Sequence, residues 1–163
     1  MALEVGDTFP GGTVLTLDAD GRPTPVELGE KLEGRKVVIF ALPGAFTGVC
    51  STAHMPSFVR TAEDIRGKGV DEVICLSVND PFTLSAWGTQ LGADDAEISM
   101  LADAGGEVTK ALGQDFTAPP AGLYGRSKRY VCVVENGKIT HVGAEPNPGE
   151  CQISSGEAVL EAL

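Results

Sequence analysis

The stretch Val37-Val38-Ile39-Phe40-Ala41-Leu42-Pro43-Gly44-Ala45-Phe46-Thr47-Gly48-Val49-Cys50 is an apolar run that stops at a Pro-Gly pair and leads to a single cysteine. The run from Val37 to Leu42 is rich in β-branched residues and has no polar alternation, the pattern of a strand buried on both faces. Pro43-Gly44 ends it. From Ser51 the period changes: Met55, Phe58, Ala62 and Ile65 recur at spacings of three and four, which predicts a helix with one buried face. Cys50 therefore falls where a strand hands over to a helix. Unpaired backbone N–H groups and the positive end of the helix dipole favour negative charge at such a junction. A thiol there is expected to ionise more readily than a free one, and the thiolate is the reactive form. The competing expectation is an inert core cysteine. Thr47, three residues earlier, is within reach of a hydroxyl-to-sulfur hydrogen bond if the turn is tight, and Pro43 would shield the site and fix the loop entry.

A chain of 163 residues supports one core, so residues 1–163 read as one domain. With 42% hydrophobic and 21% charged residues it has the composition of a globular protein rather than a disordered one. A formal net charge of −11 argues against nucleic acid and anionic membranes as partners. No apolar run is long enough to cross a bilayer, and Met1 to Asp7 lacks the basic-then-apolar pattern of a secretion or transit signal. The four cysteines, Cys50, Cys75, Cys132 and Cys151, show neither zinc-site spacing nor a Cys-x-x-Cys motif. They read as thiols of a reducing, cytoplasmic compartment, with any disulfide transient.

Along the chain, Thr13 to Leu17 and Pro25 to Leu28 flank a turn at Asp18-Ala19-Asp20-Gly21-Arg22-Pro23 and predict an N-terminal hairpin. Gly29 to Lys36 reads as a charged connection. Glu72 to Val78 is a second apolar strand, and Asn79-Asp80-Pro81 starts a helix whose apolar residues are Phe82, Leu84, Ala86, Trp87 and Leu91. Met100 to Ala102 is a short strand, followed by a short helix from Gly106 to Leu112. Arg129 to Val134 and Lys138 to Val142 flank Glu135-Asn136-Gly137, a strong hairpin signal. Ser154 to Leu163 is helical, capped by Ser154 or Ser155. Strand, helix, strand, helix implies a parallel pair with a crossover.

Arg129 is the second candidate group. It directly precedes an apolar strand, which should bring its permanent charge to the sheet end where the Cys50 loop lies. Arg126 and Lys128 read as a solvated basic patch. His54, four residues after Cys50, could act as a base, although helix-end packing or a backbone bond is the more ordinary expectation; His141 is too far away in sequence to pair with it. Cys75 and Cys132 lie inside apolar runs, where core packing is natural, and Cys151 falls in a Pro- and Gly-rich loop.

Pro43, Thr47 and Cys50 reproduce the Pro-x-x-x-Thr-x-x-Cys signature of peroxiredoxins. The longer string Pro43 to Thr47, then Cys50-Ser51 and His54-Met55-Pro56, resembles the type II, peroxiredoxin-five-like subfamily. It departs from the usual string at Gly48-Val49, where Pro-Thr or similar residues are common. The resemblance implies a thioredoxin-like α/β fold, a central mixed β-sheet flanked by helices with an N-terminal β-hairpin, which the order of predicted elements matches. It also implies a thiol peroxidase in which Cys50 attacks hydrogen peroxide or a small alkyl hydroperoxide and becomes a sulfenic acid. Thr47 and Arg129 would serve the thiolate and the peroxide, Pro43 would shield them, and the N–H groups of Val49 and Cys50 would bind developing charge. No metal or cofactor is implied, since sulfur carries both electrons.

By the same resemblance Cys75 is the preferred resolving thiol, with Cys151 and a one-cysteine cycle as alternatives. Thioredoxin or glutaredoxin with glutathione would be the reductant. A homodimer burying Phe46, Phe82 and Leu123-Tyr124 is expected. Three other readings compete: a redox carrier, which the missing Cys-x-x-Cys disfavours; a binding module on the same fold; and a cysteine hydrolase with His54 as base, for which no orienting carboxylate is evident.

Overall fold

A computed structural model describes residues 3–163. Strands β1 (Thr13–Leu17) and β2 (Pro23–Glu27) pair antiparallel as the N-terminal hairpin. Its turn is tied by Asp18, whose Oδ1 accepts the N–H groups of Asp20 and Arg22 at 2.9 Å each. The segment expected to be a charged connection contains a one-turn helix, α1 (Leu28–Leu32). Leu28 and Leu32, four residues apart, bury together while Glu30 and Lys31 stay toward water.

Strand β3 (Lys36–Leu42) is buried on both faces, as its sequence predicts. Val38, Phe40 and Leu42 join one apolar cluster, and Val37, Ile39 and Ala41 join the other. A π-helical turn, Cys50–His54, follows and runs into α2 (Met55–Gly67). Met55, Phe58, Ala62 and Ile65 are the buried stripe of that helix. Strand β4 (Glu72–Ser77) lies parallel to β3. Asp80 then caps α3 (Pro81–Leu91), its Oδ1 accepting the Thr83 N–H at 2.7 Å. Strand β5 (Ile98–Ala102) pairs parallel with β4, and α4 (Glu107–Ala111) follows.

Strands β6 (Asp115–Ala118) and β7 (Leu123–Ser127) form a separate two-stranded sheet that no periodicity in the sequence announces. Strands β8 (Tyr130–Glu135) and β9 (Lys138–Ala144) form the hairpin announced by Asn136-Gly137, both residues in the left-handed region at φ 48° and 79°. Ser155 caps α5 (Gly156–Ala162) by accepting the Ala158 N–H at 3.1 Å.

The main sheet runs β2-β1-β5-β4-β3-β8-β9, with β3, β4 and β5 mutually parallel and the outer pairs antiparallel. This is the mixed, helix-flanked, thioredoxin-like arrangement. Helix α5 docks on α2 so closely that a Cβ on Gly156 would collide with Thr61 Oγ1 and the Ser57 backbone. The Gly156 N–H donates to Ser57 Oγ at 2.9 Å, which pins the chain just after Ser154.

Candidate active site

The loop between β3 and the π turn is built by four unrelated groups. Thr47 Oγ1 donates to the Gly44 carbonyl at 2.7 Å, closing a tight turn. Asn79 Oδ1 accepts the Ala45 N–H at 3.0 Å and the Ser77 hydroxyl at 2.6 Å. Arg126 Nη1 donates to the Pro43 carbonyl at 3.0 Å. Phe46 takes a left-handed conformation, φ 63°, and stays exposed. The Thr47 hydroxyl thus spends its proton on its own loop, and the hydroxyl-to-sulfur bond suggested by the spacing does not form. The turn is tight enough to bring the carbonyl three residues back within reach. Its oxygen remains able to accept a proton donor.

The first helical hydrogen bond runs from the Ser51 N–H to the Thr47 carbonyl at 3.0 Å, so Val49 and Cys50 belong to the unpaired first turn. The Met55 N–H reaches the Cys50 carbonyl five residues back, the π bond. Cys50 itself is buried beneath this turn.

Arg129 stands just before β8, also buried, and each nitrogen of its guanidinium has a partner. Nη2 donates to Cys50 Sγ at 3.1 Å, Nη1 to His54 Nδ1 at 2.9 Å and Nε to the Pro148 carbonyl at 3.0 Å. Arginine can only donate, so His54 Nδ1 is the bare acceptor; Nε2 then carries the proton and donates to the Ser154 carbonyl at 2.9 Å. Burial and then the Arg129 charge pull the His54 pKa down to about 3, against the Ser154 carbonyl. A neutral imidazole with both nitrogens occupied is no general base, which removes the hydrolase reading. The backbone bond expected for His54 is present; the contact with Arg129 is additional.

The loop between β9 and α5 supplies both carbonyls. Glu145, at its start, is buried, and its Oε2 accepts the Gln152 N–H at 2.8 Å, the Ser154 N–H at 2.7 Å and the Ser154 hydroxyl at 2.6 Å. A cleft of about 190 Å³ opens over this assembly, lined by Pro43, Thr47, Val49, Phe116, Leu123 and Arg129 among others. Phe116 and Leu123 come from the small β6–β7 sheet. Arg126, expected in a solvated patch, instead lies partly buried over Gly44, where any Cβ would collide with its Nη1. Lys128 is exposed, as expected.

A family model described as Redoxin matches residues 4–160. Peroxiredoxin-2D of Arabidopsis thaliana is 40% identical over 161 residues, covering 99% of this chain and 98% of its own. The chain belongs to the type II peroxiredoxins. Among solved structures, reduced Prx3 of Vibrio vulnificus in complex with H2O2 superposes with a TM-score of 0.89 at 40% identity, covering 98% of each chain. Peroxiredoxin 5 of Alvinella pompejana gives 0.84 at 29% identity, covering 98% of this chain and 97% of its own. The protein is accordingly a thiol peroxidase that reduces peroxides.

The other three cysteines of this peroxiredoxin occupy distinct settings. Cys75 sits on β4 opposite Phe40, fully buried in the same apolar cluster as Cys50. Burial first, and then the neighbouring Cys50, push its thiol well up. Cys132 is core on the other face, its thiol also pushed up by burial. Cys151 is half-buried on the loop that serves Arg129 and His54, with the Ser154 hydroxyl 3.9 Å from its sulfur. Burial raises its thiol pKa while the Ser154 hydroxyl and Arg129 oppose the rise.

Proposed function

We propose that peroxide reduction in this protein proceeds by attack of the Cys50 thiolate on one oxygen of the O–O bond. A new S–O bond forms, the O–O bond breaks, and the leaving oxygen takes a proton to depart as water or alcohol; Cys50 is left as a sulfenic acid. The observation that carries this reading is Arg129, in the lining of a small cleft, with its Nη2 at 3.1 Å from Cys50 Sγ. The guanidinium stabilises the thiolate before attack and the departing oxygen during it. Thr47, its proton already committed to Gly44, accepts from the peroxide O–H and turns it toward the sulfur. The N–H groups of Val49 and Cys50 receive the developing charge, and Pro43 covers the sulfur from one side. The cleft's size favours hydrogen peroxide and small alkyl hydroperoxides.

Recycling then follows one of two routes. Cys75 lies near Cys50 but is buried, so a disulfide between them needs the π turn to open. Cys151 is nearer the surface, on a loop that already contacts the site. Reduction by thioredoxin fits a disulfide; reduction by glutathione with glutaredoxin fits a lone sulfenic acid, and both suit a reducing, cytoplasmic setting. The exposed Phe46, Phe82 and Tyr124 favour burial in a homodimer. The deciding experiment is Cys50→Ser. Loss of peroxide consumption with either reductant, together with loss of the sulfenic acid mass increment after one equivalent of peroxide, is expected; retained consumption would overturn the mechanism.

A further inference from the structure

We propose that His54 is a positioning residue for Arg129, a neutral acceptor that aims the guanidinium at the sulfur without cancelling its charge. The inference rests on Cys50 being the reactive thiol. Three observations carry it. First, the His54 ring is locked: Phe40 and Phe58 flank it with centroids 5.3 and 5.6 Å away, and its Nε2–H is held by the Ser154 carbonyl. Second, the lock leaves a single free lone pair, on Nδ1, and Arg129 Nη1 occupies it at 2.9 Å. Third, the remaining fixed acceptor of Arg129, the Pro148 carbonyl, is also uncharged. Among the described residues no carboxylate pairs with Arg129.

This choice of partners has an electrostatic consequence. An aspartate or glutamate bonded to the same nitrogen would orient the guanidinium equally well, but its negative charge would offset much of the field felt by the sulfur. An imidazole and a carbonyl orient by dipole alone, so a full positive charge faces Cys50. On the packed loop, Glu145, whose N–H donates to the Arg129 carbonyl at 3.0 Å, turns its carboxylate to the Gln152 and Ser154 donors instead, and Glu150 is exposed. The other titratable neighbours of Arg129 are the Cys50 and Cys151 thiols. Because the π turn carries both Cys50 and His54, the sulfur and the group that aims its counter-charge move as one piece.

The test is the rate at which Cys50 is alkylated by iodoacetamide as a function of pH, read by mass spectrometry, with peroxide reaction rates alongside. His54→Phe removes the acceptor and keeps a flat ring. Its alkylation profile is expected to move to higher pH, and its bimolecular rate with hydrogen peroxide to fall by about tenfold or more, the scale seen when a residue supporting a reactive group from behind is lost. His54→Asn, which keeps an acceptor near Nδ1, is expected to recover part of both. A folded His54→Phe protein with the wild-type profile and rate would overturn the proposal and leave His54 as packing. Should His54→Phe not fold, nitrogen NMR of the wild-type ring decides: an Nε2–H tautomer whose Nδ1 resonance shifts on Arg129→Met supports the proposal, and an Nδ1–H tautomer or an unshifted resonance refutes it. If wild-type Cys50 shows no activated alkylation at all, the peroxidase mechanism fails instead, and that outcome is distinct.

Discussion

Glu145 holds Ser154 twice, by its N–H and by its hydroxyl, on a single carboxylate oxygen. That oxygen also takes the Gln152 N–H, so one side chain sets the curvature of the loop whose carbonyls orient His54 and Arg129. Glu145→Ala leaves three donors without their acceptor. We expect a stability loss of about 2 to 3 kcal/mol, in the range for charge-assisted bonds in a buried site, and a fall in the peroxide rate larger than any change in overall fold. Chemical denaturation and stopped-flow peroxide kinetics check both. A stable variant with full activity would show that the loop holds its shape without the carboxylate.

Gly44 is where the active-site loop meets Arg126. Its φ of 155° lies at the edge of the left-handed region, and a Cβ would run into the guanidinium. Gly44→Ala is expected to push Arg126 off the Pro43 carbonyl, destabilise the protein by about 1 to 2 kcal/mol and slow peroxide reaction. In Arg126→Met the same Gly44→Ala change should cost less, because the colliding group has been replaced by a flexible side chain. The double-mutant cycle measures this coupling; strict additivity would mean the two residues act separately.

The neutral His54 predicts a pH dependence of stability with a definite sign. Its pKa is about 3 in the folded state and near 6.5 when exposed. Above about pH 6.5 neither state binds the proton and the ring contributes no slope. Below that, the unfolded chain takes up the proton and the folded one does not, so the fold loses about 1.4 kcal/mol per pH unit until about pH 3. Comparing wild-type urea melts with those of His54→Asn cancels the slope due to carboxylates. The wild-type protein should fall behind the variant as pH drops from 6.5; a pH-independent difference would mean that the ring takes up its proton alike in both states.

Cys75→Ser separates the two recycling routes. The first oxidation of Cys50 should proceed at a near-normal rate, since Cys75 makes no hydrogen bond to the reacting groups. Turnover with thioredoxin should fall more than turnover with glutaredoxin and glutathione. Normal turnover with both would make Cys75 a core residue and turn attention to Cys151→Ser, which tests the half-buried alternative on the loop.

Local chemistry was legible from the residues where the signal is short-ranged. The apolar run Val37 to Leu42, the Asp80-Pro81 helix start and Asn136-Gly137 each act within a few residues, and each forms the expected element. Cys50 and Arg129 meet as the strand arrangement implied. The β6–β7 sheet carries little sequence signal because its strands are four and five residues long, are joined through Pro119-Pro120 and Gly122, and have Gly125 inside the second. The weak signal hid Phe116 and Leu123 from the cleft. Asn79, Arg126, Glu145 and the second nitrogen of His54 were missed for another reason. All of them but Glu145 reach groups 34 to 100 residues away in the chain, so no periodicity or spacing points to them. Glu145 acts within nine residues, yet an acidic residue before a Pro-rich loop reads as solvated until its burial is known.

The π turn joins two tasks that elsewhere could be separated. Its first residue is the proposed nucleophile and its last is the ring bonded to Arg129. Any unwinding that carries the oxidised sulfur outward to meet a second thiol also drags the imidazole from the Ser154 carbonyl and strands the guanidinium. If recycling runs through a disulfide, a molecule in that opened shape holds neither the Cys50–Arg129 nor the Arg129–His54 contact, and one turn of backbone must reseal before the next peroxide can be met.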